Sequence, residues 1–532
     1  RAREAILKNG GAARSNVFTR TSLALFNQLP WRAVPSMPIE IMYFPNWFPF
    51  HLNKIAYWSR TTLVPLLILM TLRPKAKNPH RIDISELFDT PAWEETDYYS
   101  KKTGKTKIFL WVDQLLKIYD FVRPNLIKRR GINKALSWCL ERLNGEDGLG
   151  AIFPPMANLL MALDCLGYST EHPTRKIVRE SIKRLLTVPD NDSQYCQPCV
   201  SPIWDTCLTA HALLEAGEDP DGDKLSIANA WMVERQITDV KGDWRHRRPQ
   251  AEPGGWAFQY NNDHYPDVDD TAVVAMALHR ANPKKYKNSI KRAAAWIVEM
   301  QSSNGGWGSF DADNDKYYLN HIPFADHGAL LDPPTVDVSA RCIGFLAQLG
   351  NLKDQEIIEN GVKYILSEQE ANGSWFGRWG TNYIYGTWSA LSGLAAAGAD
   401  ANSTPIRKAV MWLESIQRSD GGWGETGDSY YPQRGKSSLD RMSTASQTAW
   451  AILALIAAGE TNSKALARGI NFLLKSERSG SKWKEDAYTA VGFPRVFYLR
   501  YHGYSAYFPL WALSRYRSLK QKNMSDSEHF GI

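Results

Sequence analysis

The chain has 532 residues, and its 63 basic and 56 acidic residues give a net charge of +7. This excess is small for the length, and no run of Lys and Arg forms the basic stripe of a nucleic-acid-binding protein. Hydrophobic residues make up 44% of the chain and charged residues 22%, which is typical of a folded protein large enough for two domains. No nucleic-acid partner is therefore expected.

The six cysteines carry little functional signal. Cys196 and Cys199 form one CxxC pair, but no second pair follows at the spacing of a zinc site. The others are scattered along the chain, which indicates a reducing compartment. No metal ion or other cofactor is expected.

Two apolar segments bear on membrane attachment. Residues 63–72 form the longest apolar run, which is too short to span a bilayer. Residues 108–122 predict either a helix that lies in a membrane interface or an ordinary buried amphipathic helix, and both interpretations stay open. No signal peptide is visible. The chain starts at Arg1 within a helical pattern, so we expect its natural N-terminus to lie further upstream.

A repeated pattern runs along the chain. Each copy has a helical run with an aromatic residue, a Gln five positions later, and a Gly-containing turn that ends on Trp. The clearest copies pair Gln236 with Trp244, Gln301 with Trp307, Gln369 with Trp375 and Gln417 with Trp423. We predict that the turn ends the helix, that the Trp caps it, and that the Gln ties the turn to the next helix. Repeated helix pairs of this kind predict an all-α fold made of α/α barrels.

The sequence Asp267-Val268-Asp269-Asp270 comes directly before a strongly apolar helix. Carboxylates at this place can simply cap the helix and complement its dipole. The alternative is an acid that protonates an alkene. Repulsion between neighbouring carboxylates would keep one of them protonated, as such an acid requires. Such an acid needs a water-poor, aromatic surrounding that protects and stabilises a carbocation. The chain has 20 Trp, 23 Tyr and 19 Phe from which to build one.

Over essentially its whole length the chain resembles the squalene–hopene cyclases of bacteria. The matching motifs are PGGWAFQYNNDHYPDVDDTA (253–272), QSSNGGWGSFDADN (301–314), NHIPFADHG (320–328), SWFGRWGTNYIYGT (374–387) and GFPRVFYLRYHGY (492–504), together with the Gln/Trp repeats. The resemblance implies a class II triterpene cyclase, which protonates squalene and closes it to pentacyclic hopene or to the hydrated product hopanol. The DVDD motif favours squalene over its epoxide.

The resemblance also implies roles for individual residues. Asp269 is the expected proton donor, with Asp267 and Asp270 as its carboxylate neighbours, and Asp337 and Arg341 as supporting groups. The aromatic residues implied for binding squalene and stabilising cations are Trp58, Trp204, Phe258, Phe310, Trp379, Tyr385, Phe493, Phe497, Tyr498, Tyr501 and Tyr504.

Three positions depart from the family pattern. Arg341 stands where well-known members have His, and Arg cannot titrate in that role. Phe310 stands where the family often has Tyr, so a ring face is kept but a hydroxyl is lost. Phe153 replaces a polar Gln near the termination end, which leaves open whether the last cation loses a proton or captures water.

The domain organisation follows from the same resemblance. We expect an N-terminal α/α barrel over residues 1–199, incomplete at its start, and a catalytic barrel over residues 200–532. The family implies monotopic attachment to the cytoplasmic side of the cell membrane and a homodimer. Two other interpretations stay open: a DxDD diterpene cyclase acting on a prenyl diphosphate, although no DDxxD motif is present, and a non-catalytic α/α-toroid binding protein.

Overall fold

The computed structural model describes residues 1–99, 104–188, 194–431, 442–521 and 532. The α-helices are α1 (Ala2–Lys8), α2 (Val17–Leu25), α3 (Tyr57–Leu72), α4 (Gly104–Val122), α5 (Asn125–Glu141), α6 (Phe153–Cys165), α7 (Pro173–Arg184), α8 (Pro202–Ala216), α9 (Asp223–Glu234), α10 (Val268–Ala281), α11 (Lys287–Glu299), α12 (Val336–Leu349), α13 (Gln355–Ser367), α14 (Tyr383–Ala396), α15 (Thr404–Ser415), α16 (Ala445–Ala457), α17 (Lys464–Lys475) and α18 (Tyr504–Gln521). The strands are β1 (Leu186–Thr187), β2 (Tyr195–Cys196), β3 (Arg478–Ser479), β4 (Lys482–Trp483), β5 (Ala490–Phe493) and β6 (Phe497–Leu499). These strands form three two-stranded antiparallel ribbons, so the predicted all-α fold is confirmed.

The chain divides into two compact units. The first comprises Arg1–Val200 and Asp315–Asp332, and the second comprises Ser201–Asn314 and Pro333–Ile532. In the first unit, α3 packs against α5 and α6, and α6 packs against α7. Nearly every residue of α3 is buried, so the apolar run over residues 63–72 is part of a core helix. None of the helices in the described ranges is long and apolar enough to cross a membrane.

The helices of the second unit form two layers. In the inner layer each of α8, α10, α12, α14 and α16 contacts the next, and α18 returns to contact α8, which closes a ring. The outer layer consists of α9, α11, α13, α15 and α17, each packed on the inner helix that precedes it. The second unit is therefore an α/α barrel.

The predicted roles of the repeat residues are confirmed by hydrogen bonds. The side-chain amide of Gln301 donates to the carbonyl of Gly305 in the turn at 2.8 Å and to that of Ile357 in α13 at 2.9 Å. The indole Nε1 of Trp307 donates to the carbonyl of Ile297, near the end of α11, at 2.7 Å. Equivalent bonds are made by Gln369 and Trp375 and by Gln417 and Trp423.

One predicted pair is wrong, because Trp256 and not Trp244 is the partner of Gln236. The amide of Gln236 donates to the carbonyl of Gly254 at 2.7 Å, and Trp256 Nε1 donates to the carbonyl of Met232 at 2.6 Å. The Gly pair that the turn requires precedes Trp256, and a Cβ atom on Gly254 would lie 2.5 Å from the carbonyl oxygen of Arg292. Trp244 lies instead in a short 3₁₀ helix, and its indole nitrogen has no hydrogen-bond partner within the described part of the chain.

Candidate active site

The acid motif lies at the start of α10, an inner helix of the barrel. A carboxylate oxygen of Asp267 accepts the backbone N–H groups of Asp269 at 2.8 Å and Asp270 at 3.1 Å. Asp267 is therefore the N-cap of the helix, as the simpler interpretation of the motif predicted. That interpretation does not account for Asp269 and Asp270, whose side chains are buried and do not serve as the cap.

Both of these carboxyl groups favour their protonated form. Burial raises the pKa of Asp269 to about 7, an effect that the positive charge of Arg341 opposes and the charge of Asp337 reinforces. Burial also raises the pKa of Asp270 well above its ordinary value, and the charges of Asp267 and Asp269 raise it further. A carboxyl group that still holds its proton near neutral pH is the state that an alkene-protonating acid requires.

Arg341 on α12 is the cation beside this acid. Its Nε atom lies 3.4 Å from Oδ1 of Asp269, and only 2% of the residue is exposed, so it is not a surface arginine. Its Nη1 donates to the carbonyl of Asp337 at 2.7 Å and its Nη2 donates to the hydroxyl of Tyr385 at 2.6 Å. Burial lowers the pKa of Arg341, but Asp269, Tyr385 and Asp337 raise it to above its usual range, so the charge is permanent.

Three aromatic rings surround the guanidinium group. Its central carbon lies 5.0 Å from the ring centre of Tyr385, 5.3 Å from that of Trp388 and 5.6 Å from that of Trp204. Trp388 is absent from the predicted set, although it follows Tyr385 by three positions on α14 and so shares its helix face. That spacing was the signal that could have identified it.

A continuous path of predicted aromatic residues leads away from Arg341. Trp204 Nε1 donates to the hydroxyl of Tyr504 at 2.9 Å. The ring of Tyr504 stacks on that of Tyr501 with 4.7 Å between centres, and Tyr501 meets Phe258 edge-on at 6.3 Å. The structure therefore brings these four residues into one connected group that begins at Arg341.

Asp337 acts on the main chain of a neighbouring loop. Its Oδ2 accepts the backbone N–H groups of Arg378 at 2.9 Å and Trp379 at 2.8 Å, while its own carbonyl accepts from Arg341. Its hydrogen bonds thus hold the backbone at Trp379, a predicted cation-stabilising residue, and the guanidinium group beside the acid. This geometry favours a positioning role over direct participation in proton transfer.

Four further predicted residues lie in the second unit. Phe493 and Phe497 contact one another across the β5–β6 ribbon, with 5.2 Å between their ring centres, and Phe497 is 37% exposed. Tyr498 donates its hydroxyl to the carbonyl of Gly427 at 3.1 Å. Phe310 is buried in the second unit.

Trp58 belongs to the first unit. It lies on α3, is buried, and donates its indole N–H to the carbonyl of Ala329 at 2.7 Å.

A buried carboxyl group that holds its proton, a permanent cation and a group of aromatic rings meet at the inner helices of an α/α barrel. Together they define the class of cyclases that begin by proton transfer to a substrate double bond. The sequence profile of the squalene-hopene cyclase C-terminal domain matches residues 200–518, and that of the N-terminal domain matches residues 1–191.

Individual relatives agree with these profiles. The chain is 52% identical to the squalene–hopene cyclase of Zymomonas mobilis, over 100% of this chain and 82% of the relative. It is also 52% identical to the squalene–hopene cyclase of Bradyrhizobium diazoefficiens, over 98% of this chain and 80% of that protein. The chain belongs to the squalene–hopene cyclase family, and its function is that of a class II triterpene cyclase.

Proposed function

We propose that this enzyme converts squalene into pentacyclic hopene, hopanol or both, with Asp269 as the proton donor. The observation that carries the proposal is the pairing of a buried carboxyl group, whose pKa is about 7, with a buried arginine 3.4 Å away. The first property keeps the proton in place before the reaction. The second stabilises the carboxylate that remains when the proton has left. Squalene is proposed as the substrate because the similar proteins of Zymomonas mobilis and Bradyrhizobium diazoefficiens are squalene–hopene cyclases.

Cyclisation of squalene involves no net oxidation or reduction, so the reaction needs no cofactor. The proton of Asp269 forms a C–H bond at one carbon of the terminal double bond, and the other carbon becomes a cation. Each following double bond supplies the electron pair for the next ring closure and passes the positive charge along the chain. Loss of a proton from the last cation gives an isomer of squalene, and capture of water gives an alcohol. Asp269 is left as a carboxylate beside Arg341 and must regain a proton from solvent.

Aromatic rings stabilise the migrating cation through the negative charge of their faces. The group formed by Trp204, Phe258, Tyr501 and Tyr504 is the best supported for this role, because its members contact one another and begin at Arg341. Roles in the same reaction for Trp58, Phe310, Trp379, Tyr385, Phe493, Phe497 and Tyr498 follow from the family resemblance.

The exposed face of α4 supports attachment to a membrane surface. Ile108 is 65% exposed, Trp111 70%, Ile118 64% and Phe121 91%, and the spacing of the first three places them on one side of the helix. An apolar face of this kind is unfavourable in water and suits the boundary between lipid headgroups and acyl chains.

The opposite face of α4 is polar and points into the first unit. Asp113 is buried, accepts the backbone N–H of Ser36 at 2.6 Å, and pairs with Lys117 at 2.6 Å. A helix with its polar side inward and its apolar side outward is the reverse of an ordinary amphipathic helix. We therefore propose that α4 lies in the interface of the membrane that holds the apolar substrate. The cytoplasmic side and the homodimer stay predictions.

The test is to incubate membranes that contain the full-length protein with squalene and to analyse the extract by mass spectrometry. Membranes from the same host without the protein serve as the control. We expect an isomer of squalene, a hydrated isomer, or both. A parallel incubation with a C20 prenyl diphosphate tests the diterpene alternative. Conversion of the diphosphate alone, or of neither substrate, would contradict the proposal.

A further inference from the structure

Ser309 connects the acid-bearing helix to the ring of Trp379. Its backbone carbonyl accepts the N–H of Val268, the residue before Asp269, at 2.8 Å. Its hydroxyl oxygen accepts the indole N–H of Trp379, also at 2.8 Å. Ser309 is buried, so neither bond competes with bulk water. The sequence alone gave no reason to single out this serine.

The main chain of Trp379 is held independently of Ser309. Asp337 accepts its backbone N–H at 2.8 Å, and the backbone N–H of Val491 donates to its carbonyl at 3.1 Å. A fixed backbone still leaves the indole ring several rotamers. The bond to Ser309 favours the orientation that directs the indole N–H at the serine oxygen.

The orientation of this ring determines what it can stabilise. The guanidinium carbon of Arg378 lies 4.1 Å from the ring centre and covers one face. Cation–π attraction requires the charge to lie over the ring face, so a rotated indole loses most of it.

We infer that Ser309 is a positioning residue that sets the Trp379 ring relative to the acid and thereby the extent of ring closure. The inference rests on the proposed function, since it assigns Trp379 to the stabilisation of a cation formed from squalene. When the ring is misplaced, the cation that it would stabilise loses a proton earlier. Incompletely cyclised hydrocarbons then accumulate.

The variant Ser309→Ala tests this directly, because it removes the hydroxyl acceptor and keeps the carbonyl that binds Val268. We expect kcat to fall roughly two- to tenfold, which corresponds to the loss of one hydrogen bond. KM should change less than about twofold, since the ring acts on the cation and not on the neutral substrate. The share of incompletely cyclised products should rise.

A double-mutant cycle separates ring positioning from general support of the fold. Trp379→Phe keeps a ring but has no N–H, so adding Ser309→Ala to it should cause no further change in the product ratio. Ser339→Ala is the matched control, because Ser339 is also buried and its hydroxyl accepts the backbone N–H of Trp307 at 2.9 Å. It should lower the melting temperature and leave the product ratio unchanged.

Different experimental results would contradict the role of Ser309 and the proposed conversion of squalene. An active wild-type enzyme whose product ratio is unchanged by Ser309→Ala would overturn the inference alone. Independent, additive effects of Ser309→Ala and Trp379→Phe would do the same. A wild-type enzyme that leaves squalene unchanged would overturn the proposed function, and the inference with it.

Discussion

The Nε atom of Arg341 lies 3.4 Å from a carboxylate oxygen of Asp269, and both side chains are buried. Burial alone would hold the proton on the acid, but it would also oppose its release because a bare carboxylate is poorly solvated there. The guanidinium group acts on the state after release, when the two charges attract. The pair thus reconciles an acid that stays protonated at rest with one that can transfer its proton.

Removal of this cation should nearly abolish activity. Arg341→Ala leaves the new carboxylate without a partner; an uncompensated buried charge costs about 3–4 kcal/mol, which should lower kcat on the order of 10²- to 10³-fold. Arg341→Lys keeps the charge but loses the planar set of donors, so it should retain partial activity. The measurement is kcat for squalene with each purified variant.

The control for these variants is Arg280→Lys. Arg280 lies near the other end of α10 from the acid motif, has a largely buried side chain, and pairs with Glu215 at 2.7 Å. The Arg280→Lys variant should lower the melting temperature and change kcat only slightly. Wild-type turnover by Arg341→Ala would mean that another group supports the acid.

Activity should fall as pH rises through neutrality. The donor must be protonated, and the pKa of Asp269 is about 7, so the protonated fraction falls about tenfold for each pH unit above that value. Arg341 does not lose its charge in this range, so the decline should trace to Asp269 itself. A profile of kcat from about pH 5 to 9 with melting temperature as a parallel measurement tests this. A kcat that rises between pH 7 and 9 would contradict the account.

The sequence was informative where a feature is local and repeated. Gln301 and Trp307 were identified from their spacing, because the Gly turn between them is a backbone requirement that recurs in each copy. The prediction for Trp244 is wrong because two tryptophans follow Gln236. Spacing alone does not identify Trp256, which follows the Gly pair at 254–255, as the capping residue.

The surroundings of the acid were harder to predict from residues alone. The contacts of Arg341 with Tyr385 and of Ser309 with Trp379 join positions 44 and 70 residues apart. Such contacts depend on how the inner helices pack around the barrel and leave no periodic signal. The family resemblance supplied Arg341 and Trp379, and helical spacing from Tyr385 could have identified Trp388, but Ser309 emerged only from the structure.

The two neighbouring tryptophans provide a stability test of the repeat. Trp256→Phe removes the indole N–H that binds the carbonyl of Met232, and the unpartnered carbonyl should cost about 1–3 kcal/mol. Trp244→Phe is the matched control, since it is equally buried and its indole nitrogen has no acceptor in the described ranges. We expect the first variant to melt at a lower temperature than the second. The reverse order would show that Trp244 is the capping residue after all.

Membrane attachment should depend on the apolar face of α4. Ile118→Asp places a charge on that face and should weaken co-sedimentation with lipid vesicles, whereas high salt should have little effect on the wild-type protein. Leu352→Asp is the control, because Leu352 is 91% exposed but lies in the second unit. Equal loss of binding by both variants, or complete release by salt, would contradict interfacial insertion.

The most direct test of Asp269 as the proton donor is a comparison of wild-type enzyme and Asp269→Asn with squalene in D₂O. The carboxyl group exchanges its proton with solvent before each turnover, so each hydrocarbon product formed by the wild type should carry one carbon-bound deuterium. The amide of Asp269→Asn is far too weak an acid, so this variant should fold with a circular dichroism spectrum like that of the wild type and form no cyclised product. A wild-type product without deuterium, or cyclisation by the folded Asn variant, would contradict the account.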